Sequence, residues 1–520
     1  MFKLLKVQFD NHPVLRDLKL DFVNYEEVEN KQFPYTTVMI GPNGTGKSHI
    51  LKAIADTFVY FKDFQLDESL FWTNSFGFSI EFKFYKDTYE IRTGRFKIFN
   101  KKGEHRKVEC LKNKPKNFES LSPEEKDFFV VLSREVELPM RVLVSSVMLT
   151  DRFTFRDSTP DDFYQYLGVR RNRSTSSTQT FERKTIRYLF DATKTNEFKI
   201  NLAEILDFMG LEEQLTVSYS IKYKDLFEKQ TAKLENFHQF FTEWWIATNG
   251  KRKRENKPWG LWYYEKIKED EEKILRLLKL LNDISDGLVL KQDSKRSREF
   301  IIDVFKEEQI FESYSLIEEL IFLDLLRLEG IRIKKKDTKA YGVENSSSGE
   351  YHLLISLLGI FSRIQPDSLI FIDEPEISLH PNWQMRYIHE LKRMFYKYST
   401  CHFILASHSH FIVSDLENTS SSVLALRNNE NAGQISANLL TAQTYGWSAE
   451  EVLYSIFDVK TTRNKYLEED LRFLLHNIAI KSTEYAEMQR IVEKLKSLKF
   501  SASDPITLII AKAEEYLTND

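Results

Sequence analysis

Residues 41–48 read Gly-Pro-Asn-Gly-Thr-Gly-Lys-Ser, and they lie where a short apolar run, Thr36 to Ile40, gives way to a helical pattern. The spacing G-x-x-x-x-G-K-S lets backbone N–H groups wrap a phosphate while the helix N-terminus adds positive potential. Gly41, Asn43, Gly44, Gly46, Lys47, Ser48 and His49 form the expected phosphate-binding set. In it Lys47 reaches the terminal phosphates of a nucleoside triphosphate, and the Ser48 hydroxyl is offered to Mg²⁺. The bland alternative, a glycine-rich strand–helix turn without a ligand, is disfavoured by the correct flanks.

A second group lies more than three hundred residues later. The apolar run Leu369-Ile-Phe-Ile ends in Asp373-Glu374-Pro375. A buried central strand ending in two carboxylates can set Asp373 beside the phosphate loop to hold Mg²⁺, usually through a bound water. Glu374 is then the residue to orient and deprotonate an attacking water. Another apolar run, His402 to Leu405, ends in Ala406-Ser407-His408-Ser409. A lone histidine at a strand end is more often structural, and its place downstream of the acidic pair argues for a role in the site.

The elements that must position these residues follow from periodicity. Residues 1–150 read mainly as strands around the glycine-rich loop: Phe2 to Phe9, Leu18 to Phe22, Phe78 to Tyr85, Thr88 to Ile91, Arg95 to Phe99 and Arg141 to Met148. Residues 151–340 read as a mainly helical insert, with helices expected over Arg183–Phe208, Lys224–Ala247, Tyr263–Ile284, Lys295–Gln309 and Tyr314–Leu328. Strand–helix alternation returns over 341–440, and 441–520 reads as a helical tail expected to contact a partner or a second copy. The fold class expected is α/β.

With 520 residues and 42% hydrophobic content the chain can bury several domain cores. No apolar run approaches the roughly 20 residues of a membrane helix, and the N-terminus has no signal-peptide core. A cytoplasmic protein with no membrane association is expected. Two cysteines, Cys110 and Cys401, cannot build a disulfide framework or a four-cysteine zinc site. The net charge of −4 does not mark a nucleic-acid binder. Local basic runs (Arg170, Arg171 and Arg173; Lys251 to Arg254; Arg332 with Lys334 to Lys336) are solvated ends or a footprint for a phosphate backbone.

Taken together, Asp-Glu-Pro-Glu-Ile-Ser-Leu-His-Pro, Ser-Ser-Gly-Glu and Ala-Ser-His-Ser resemble the ABC-type ATPases of bacterial anti-phage defence and the related OLD family. Tyr164 to Arg170 and Tyr445 to Leu453 look like segments of the ATPase subunit of Septu systems, PtuA. The resemblance implies an ABC-type head, a P-loop sheet with an antiparallel β subdomain, carrying a helical insert and a helical C-terminal tail. It makes 1–150 the N-terminal lobe with Walker A, and 341–440 the C-terminal lobe with signature, Walker B, D-loop and H-loop. Ser346 to Glu350 then stands where the signature L-S-G-G-Q does, with Ser347 and Gly349 matching. Ser347, Ser348, Gly349 and Glu350 would bind the γ-phosphate of ATP held by a second copy. His408 would contact the γ-phosphate in its own site, and Ser378 to Pro381 would be the D-loop, with His380 in place of the usual aspartate. The lobe-linking glutamine that touches Mg²⁺ is missing after Met148, which leaves Asp151 or Gln165 to substitute.

The function implied is an ATP- and Mg²⁺-dependent ATPase that dimerises head-to-tail around ATP, with higher oligomers open, and regulates a separate HNH-type nuclease subunit. No nuclease motif is found in the chain itself. Two alternatives remain: an ATPase partnered with a Toprim nuclease, as in PARIS systems, or an SMC/RecF-like repair clamp that grips duplex DNA directly.

Overall fold

The computed structural model describes the chain apart from residues 24–31, 69–71, 73–75, 101–102, 149, 157–158, 171–177, 193–197, 223–232, 250–258, 286–289, 292–298, 307–313, 337, 415, 418, 430–433, 441–445, 456–463, 499, 501–503 and 519–520. The described residues fall into two units, Met1–Ala449 and Glu450–Asp520.

At the centre of the first unit is a seven-stranded sheet. Its strands are β3 (Tyr35–Ile40), β7 (Val142–Ser146), β8 (Tyr164–Tyr166), β14 (Leu369–Asp373), β15 (His402–Ser407), β16 (Ser421–Asn429) and β17 (Gln434–Leu440), in the order β17-β16-β3-β15-β14-β7-β8. Every pairing but β16–β17 is parallel. Both faces of such a sheet are covered, so its strands carry near-continuous apolar runs. Every residue of β3, β14 and β15 is buried. The register aligns the strand ends, with Asp373 opposite both Ala406 and Ser146, and Ser407 opposite Ile40. Loops leaving the carboxyl ends of β3, β14 and β15 therefore meet at one edge, where open parallel sheets bind ligands.

An antiparallel sheet, β2-β1-β4-β5-β6, stands against this one and is built from β1 (Phe2–His12), β2 (Arg16–Asp21), β4 (Gly77–Phe84), β5 (Asp87–Asn100) and β6 (Gly103–Lys112). Helix α1 (Lys47–Leu66) joins the two through Ile50, Leu51, Ile54, Phe58 and Phe61, all fully buried or nearly so. The Phe58 ring lies 6.0 Å from Phe2 and 5.6 Å from Phe82. Truncating such a ring costs about 3–5 kcal/mol, so Phe58→Ala would loosen the helix that opens the glycine-rich loop. Beyond these sheets α2 (Pro123–Asp127) begins at a Ser122–Glu125 capping box.

The segment 151–340, expected as mainly helical, carries strands as well as helices. Its helices are α3 (Thr178–Ala192), α4 (Phe198–Phe208), α5 (Leu234–Asn249), α6 (Trp259–Ile267), α7 (Glu271–Ser285) and α8 (Tyr314–Phe322). A third sheet, ordered β10-β11-β9-β12-β13, runs through β9 (Leu211–Ile221), β10 (Leu290–Lys291), β11 (Glu299–Asp303), β12 (Leu326–Lys335) and β13 (Tyr341–Gly342). The helix expected over Lys295–Gln309 is therefore replaced by β11. Phe300, Ile302 and Val304 are buried at every second position, a strand period. The helix expected over Tyr314–Leu328 stops early because Asp324 takes a left-handed φ of 63°, after which β12 begins. Tyr263–Ile284 is split where the Asp270 carboxylate accepts from Lys273 N at 3.1 Å and caps a new helix. Thr88–Ile91 and Arg95–Phe99, expected as two strands, are one, β5. The basic run Lys251 to Arg254 lies outside the described residues, as do Arg171 and Arg173.

The remaining helices of the first unit are α9 (Ser348–Arg363), α10 (Pro381–Met394) and α11 (His410–Val413). After α12 (Ala449–Ser455), the second unit packs α13 (Lys465–Ala479), α14 (Tyr485–Lys496) and α15 (Pro505–Thr518) around Leu474, Met488, Leu495 and Ile506. Among the described residues no helix is long and apolar enough to cross a membrane.

Candidate nucleotide site

The glycine-rich loop turns between β3 and α1 through two left-handed glycines, Gly44 (φ 83°) and Gly46 (φ 76°). Gly46 is the N-cap of α1, and it offers no side-chain cap to the first helical amides. No acidic residue occupies the first turn either. The N–H groups there lack intrahelical acceptors by the geometry of any helix start, which makes them an anion cradle.

Lys47 folds back over this loop. Its Nζ donates to Gly41 O at 2.8 Å and Pro42 O at 3.2 Å, and stands 3.1 Å from His408 Nδ1. Burial lowers its pKa to about 8 against the pull of Glu374, Glu376 and Asp373. An ammonium only donates, so a hydrogen bond between these two nitrogens requires His408 Nδ1 to be the acceptor. Burial, helped by the Lys47 charge, lowers the His408 pKa to about 4. At neutral pH the 3.8 Å approach of His408 Nε2 to Glu374 Oε1 is thus a contact with a neutral ring and not an ion pair.

On the acidic side, Ser48 Oγ donates to Asp373 Oδ1 at 3.0 Å. Burial raises the Asp373 pKa to about 7; the Ser48 bond opposes it, and Glu374, Asp151 and Glu376 add to it. Carboxylates accumulated in a low dielectric call for a cation. The donor set fits Mg²⁺. Ser48 and Asp373 present a hydroxyl and a carboxylate side by side, the hard oxygen ligands Mg²⁺ takes. When bound there, Mg²⁺ would neutralise phosphate charge. Ser48 and Asp373 would hold it.

Glu374 has a left-handed φ of 51°, uncommon for a residue with a Cβ. Its N–H is pinned to Ala406 O at 2.9 Å, so the chain leaves β14 sharply just before Pro375. Two side chains beyond the expected set then bridge this loop to the one bearing His408. Glu376 accepts from the His408 backbone N–H. Gln384 Nε2 donates to Leu379 O at 2.8 Å, and its Oε1 accepts from Ser409 Oγ at 2.6 Å. Glu376 is visible in the acidic run itself. Gln384 gives no local signal, because its role depends on α10 returning past the loop.

The turn Ser346–Glu350 is built differently. Ser347 is the N-cap of α9, its Oγ accepting from Glu350 N at 3.2 Å while Glu350 Oε2 accepts from Ser347 N at 2.9 Å. Lys335 holds the other Glu350 oxygen at 2.6 Å. Both oxygens of Glu350 are thereby committed, and a carboxylate there would repel phosphate, so Glu350 shapes the turn. Ser347 keeps its hydroxyl hydrogen, and Ser347 and Ser348 are exposed. A Cβ on Gly349 would lie 2.2 Å from Ser378 O, so only glycine permits this helix end to approach the loop after β14. Among the described residues no hydrogen bond or ion pair joins this turn to the glycine-rich loop.

Both candidates for the missing lobe-linking glutamine already hold partners. Asp151 is locked by Arg170 (2.8 and 2.7 Å), Tyr166 OH (2.6 Å) and Phe153 N (3.0 Å). Gln165 donates to Thr159 O and Asp162 O at 2.6 and 2.8 Å. His380 caps α10, accepting from Asn382 N at 3.3 Å.

The family model described as an AAA ATPase domain (AAA_15) matches residues 3–413. No curated protein matches the chain. Among solved structures the chain is similar to the Smc head domain with an extended coiled coil, bound to the C-terminal domain of ScpA, from Pyrococcus furiosus. That likeness has 13% identity and a TM-score of 0.31, over 85% of this chain and 96% of that one. The SmcHead bound to the C-winged helix domain of ScpA shares 13% identity at a TM-score of 0.32, over 84% of this chain and 97% of that one. The SMC head domain from Thermotoga maritima shares 12% at 0.35, over 85% of this chain and all of the other (100%). By the family match over most of its length, the chain belongs to the AAA ATPase domain family (AAA_15).

Proposed function

We propose that the chain binds ATP with Mg²⁺ and hydrolyses it in a head-to-tail homodimer, and that this cycle regulates a separate HNH-type nuclease subunit in anti-phage defence. The observation that carries the ATPase part is the convergence of Lys47, Ser48, Asp373, Glu374 and His408 at the ends of β3, β14 and β15. In this reading Lys47 holds the β- and γ-phosphates, and Ser48 and Asp373 hold Mg²⁺. Glu374 takes a proton from the attacking water, and His408 bonds the γ-phosphate. Arrayed donors of this kind stabilise charge with little reorganisation.

The dimer reading is supported by the exposed Ser347 and Ser348 at the start of α9, which among the described residues no hydrogen bond or ion pair joins to the glycine-rich loop: a γ-phosphate held by a second copy would complete them. The division into lobes at 1–150 and 341–440, with the insert and tail as docking elements, belongs to the same proposal. The defence role rests on the motif resemblance. The DNA-clamp reading has less support, because Arg170, Lys334 and Lys335 are held in ion pairs with Asp151, Glu212 and Glu350.

Co-expression with the genomic neighbours followed by native mass spectrometry tests the assembly. A stable complex with an HNH protein, whose nuclease activity changes between zero and millimolar ATP, is the expected result. A Toprim partner would change the effector, and unchanged nuclease activity would sink the regulatory role. A bare ATP-dependent dimer that binds duplex DNA with a steep salt dependence would favour the clamp.

A further inference from the structure

The loop after β14 and the loop after β15 are tied together by side chains that touch neither phosphate nor metal in the mechanism above. Glu376 reaches from the first loop to the His408 backbone N–H of the second. Gln384, on α10, closes the other end. Its amide donates to Leu379 O at 2.8 Å and approaches Glu376 O at 3.5 Å, while its oxygen takes the Ser409 hydroxyl at 2.6 Å. Ser409 in turn caps α11, accepting from Phe411 N at 3.2 Å. The two ties flank His408 on either side along the chain.

The braced loop also leads outward. Ser378, at its tip, has a left-handed φ of 64°, and its carbonyl lies where any Cβ on Gly349 would collide. A continuous path therefore runs from Lys47 through His408, across Glu376 and Gln384, to Ser378 and the exposed end of α9. Its steps are hydrogen bonds from Lys47 to Leu379, the peptide link from Leu379 to Ser378, and the Ser378–Gly349 contact, closer than a methyl group allows. Close-packed groups of this kind transmit strain from one to the next.

We propose that Glu376 and Gln384 are positioning residues that clamp the His408 loop to the Ser378 loop, so that phosphate contact at His408 is relayed to the α9 end that meets a second nucleotide. This rests on the ATPase reading above and adds two residues to it. Glu376 acts through the hydrogen bond it accepts, so an amide can replace it. Gln384 acts through donor and acceptor together, so a carboxylate cannot.

The test uses the full chain and measures ATP affinity, kcat and KM, and melting temperature for Glu376→Ala, Glu376→Gln, Gln384→Ala and Gln384→Glu. Supporting groups of this kind are worth roughly 10–100-fold in rate. Both alanine variants should lose that much kcat while ATP affinity stays within about threefold of wild type. Glu376→Gln should recover most of the rate, and Gln384→Glu should not. The double alanine variant should be little worse than either single one, as expected of two ties in one clamp. Wild-type kcat in the alanine variants would overturn the clamp. So would a loss in Glu376→Gln as deep as that in Glu374→Gln, which would place Glu376 at the reacting atoms. Should the alanine variants fail to fold, the isosteric pair decides alone. Absence of turnover in the wild-type chain would instead reject the ATPase reading itself, and the Lys47→Ala control keeps the two failures apart.

Discussion

The two halves of the candidate site are built on opposite plans. Around Lys47 and Asp373 the polar groups are buried and already bonded to one another at the ends of aligned parallel strands. At Ser347 the donors sit on an exposed helix start whose capping box leaves a hydroxyl and amides outward. The first half holds charge that burial disfavours, with Lys47 and Asp373 pushed toward neutrality. In the second half the Ser347–Glu350 capping box is closed on itself, and the exposed donors it leaves are directional. Charge is thus concentrated where phosphate and Mg²⁺ would sit, and the other half contributes geometry.

That contrast can be broken most sharply at Glu374. Glu374→Gln keeps shape and polarity but cannot take a proton, so kcat should fall by about 10²–10⁴ with ATP affinity unchanged. Phosphate release and equilibrium binding on the same preparation check it, and normal turnover would remove Glu374 as the base. Next comes Lys47→Ala, which deletes the one phosphate-facing ammonium in the loop. A charged hydrogen-bonding group is worth about 1.5–3 kcal/mol, so ATP should bind roughly tenfold to a hundredfold more weakly by calorimetry.

Ser347→Asp separates the two jobs of the second half. Aspartate is as good an N-cap as serine, so melting should hardly change. Its charge opposes a γ-phosphate, and turnover should fall about tenfold or more. A rate equal to wild type would leave Ser347 as a cap alone.

The smallest effect concerns pH and Mg²⁺. A folded pKa raised to about 7 means that the native state keeps a proton on Asp373 that the unfolded chain releases near 4. This contribution to stability is complete below the unfolded pKa and is lost as pH rises from about 4 to 7. Mg²⁺ must displace that proton, so it should bind roughly tenfold more weakly at pH 6 than at pH 8. Thermal shift against Mg²⁺ at both pH values reads this directly, and Asp373→Asn should abolish the difference.

The first half was readable because parallel strands covered on both faces leave unbroken apolar runs, and a glycine-rich or acidic end marks where each stops. Thr36–Ile40 and Leu369–Ile372 were legible for that reason. Residues 295–309 were not, because their charges suggest a surface helix while Phe300, Ile302 and Val304 alternate at a strand period. Ser347-Ser-Gly-Glu350 also spells a capping box, and the Glu350 side chain follows that pattern in the structure. Asp151 and Gln165 were plausible by polarity and position alone. Their partners, Arg170 and the carbonyls of Thr159 and Asp162, were set by packing between distant turns. Gln384 could not be found from sequence, since nothing beside it in the chain shows that a helix carries it back across two loops.

One connection deserves a mechanical reading. Strand β12 ends at Lys335, which grips Glu350, and its neighbour β13 ends at Gly342, five positions before the Ser347 cap. The edge of the insert's sheet is thereby tied to the start of α9 by a short segment and by the Lys335–Glu350 salt bridge. A partner that pulled on the insert would therefore be pulling on the helix start that carries Ser347.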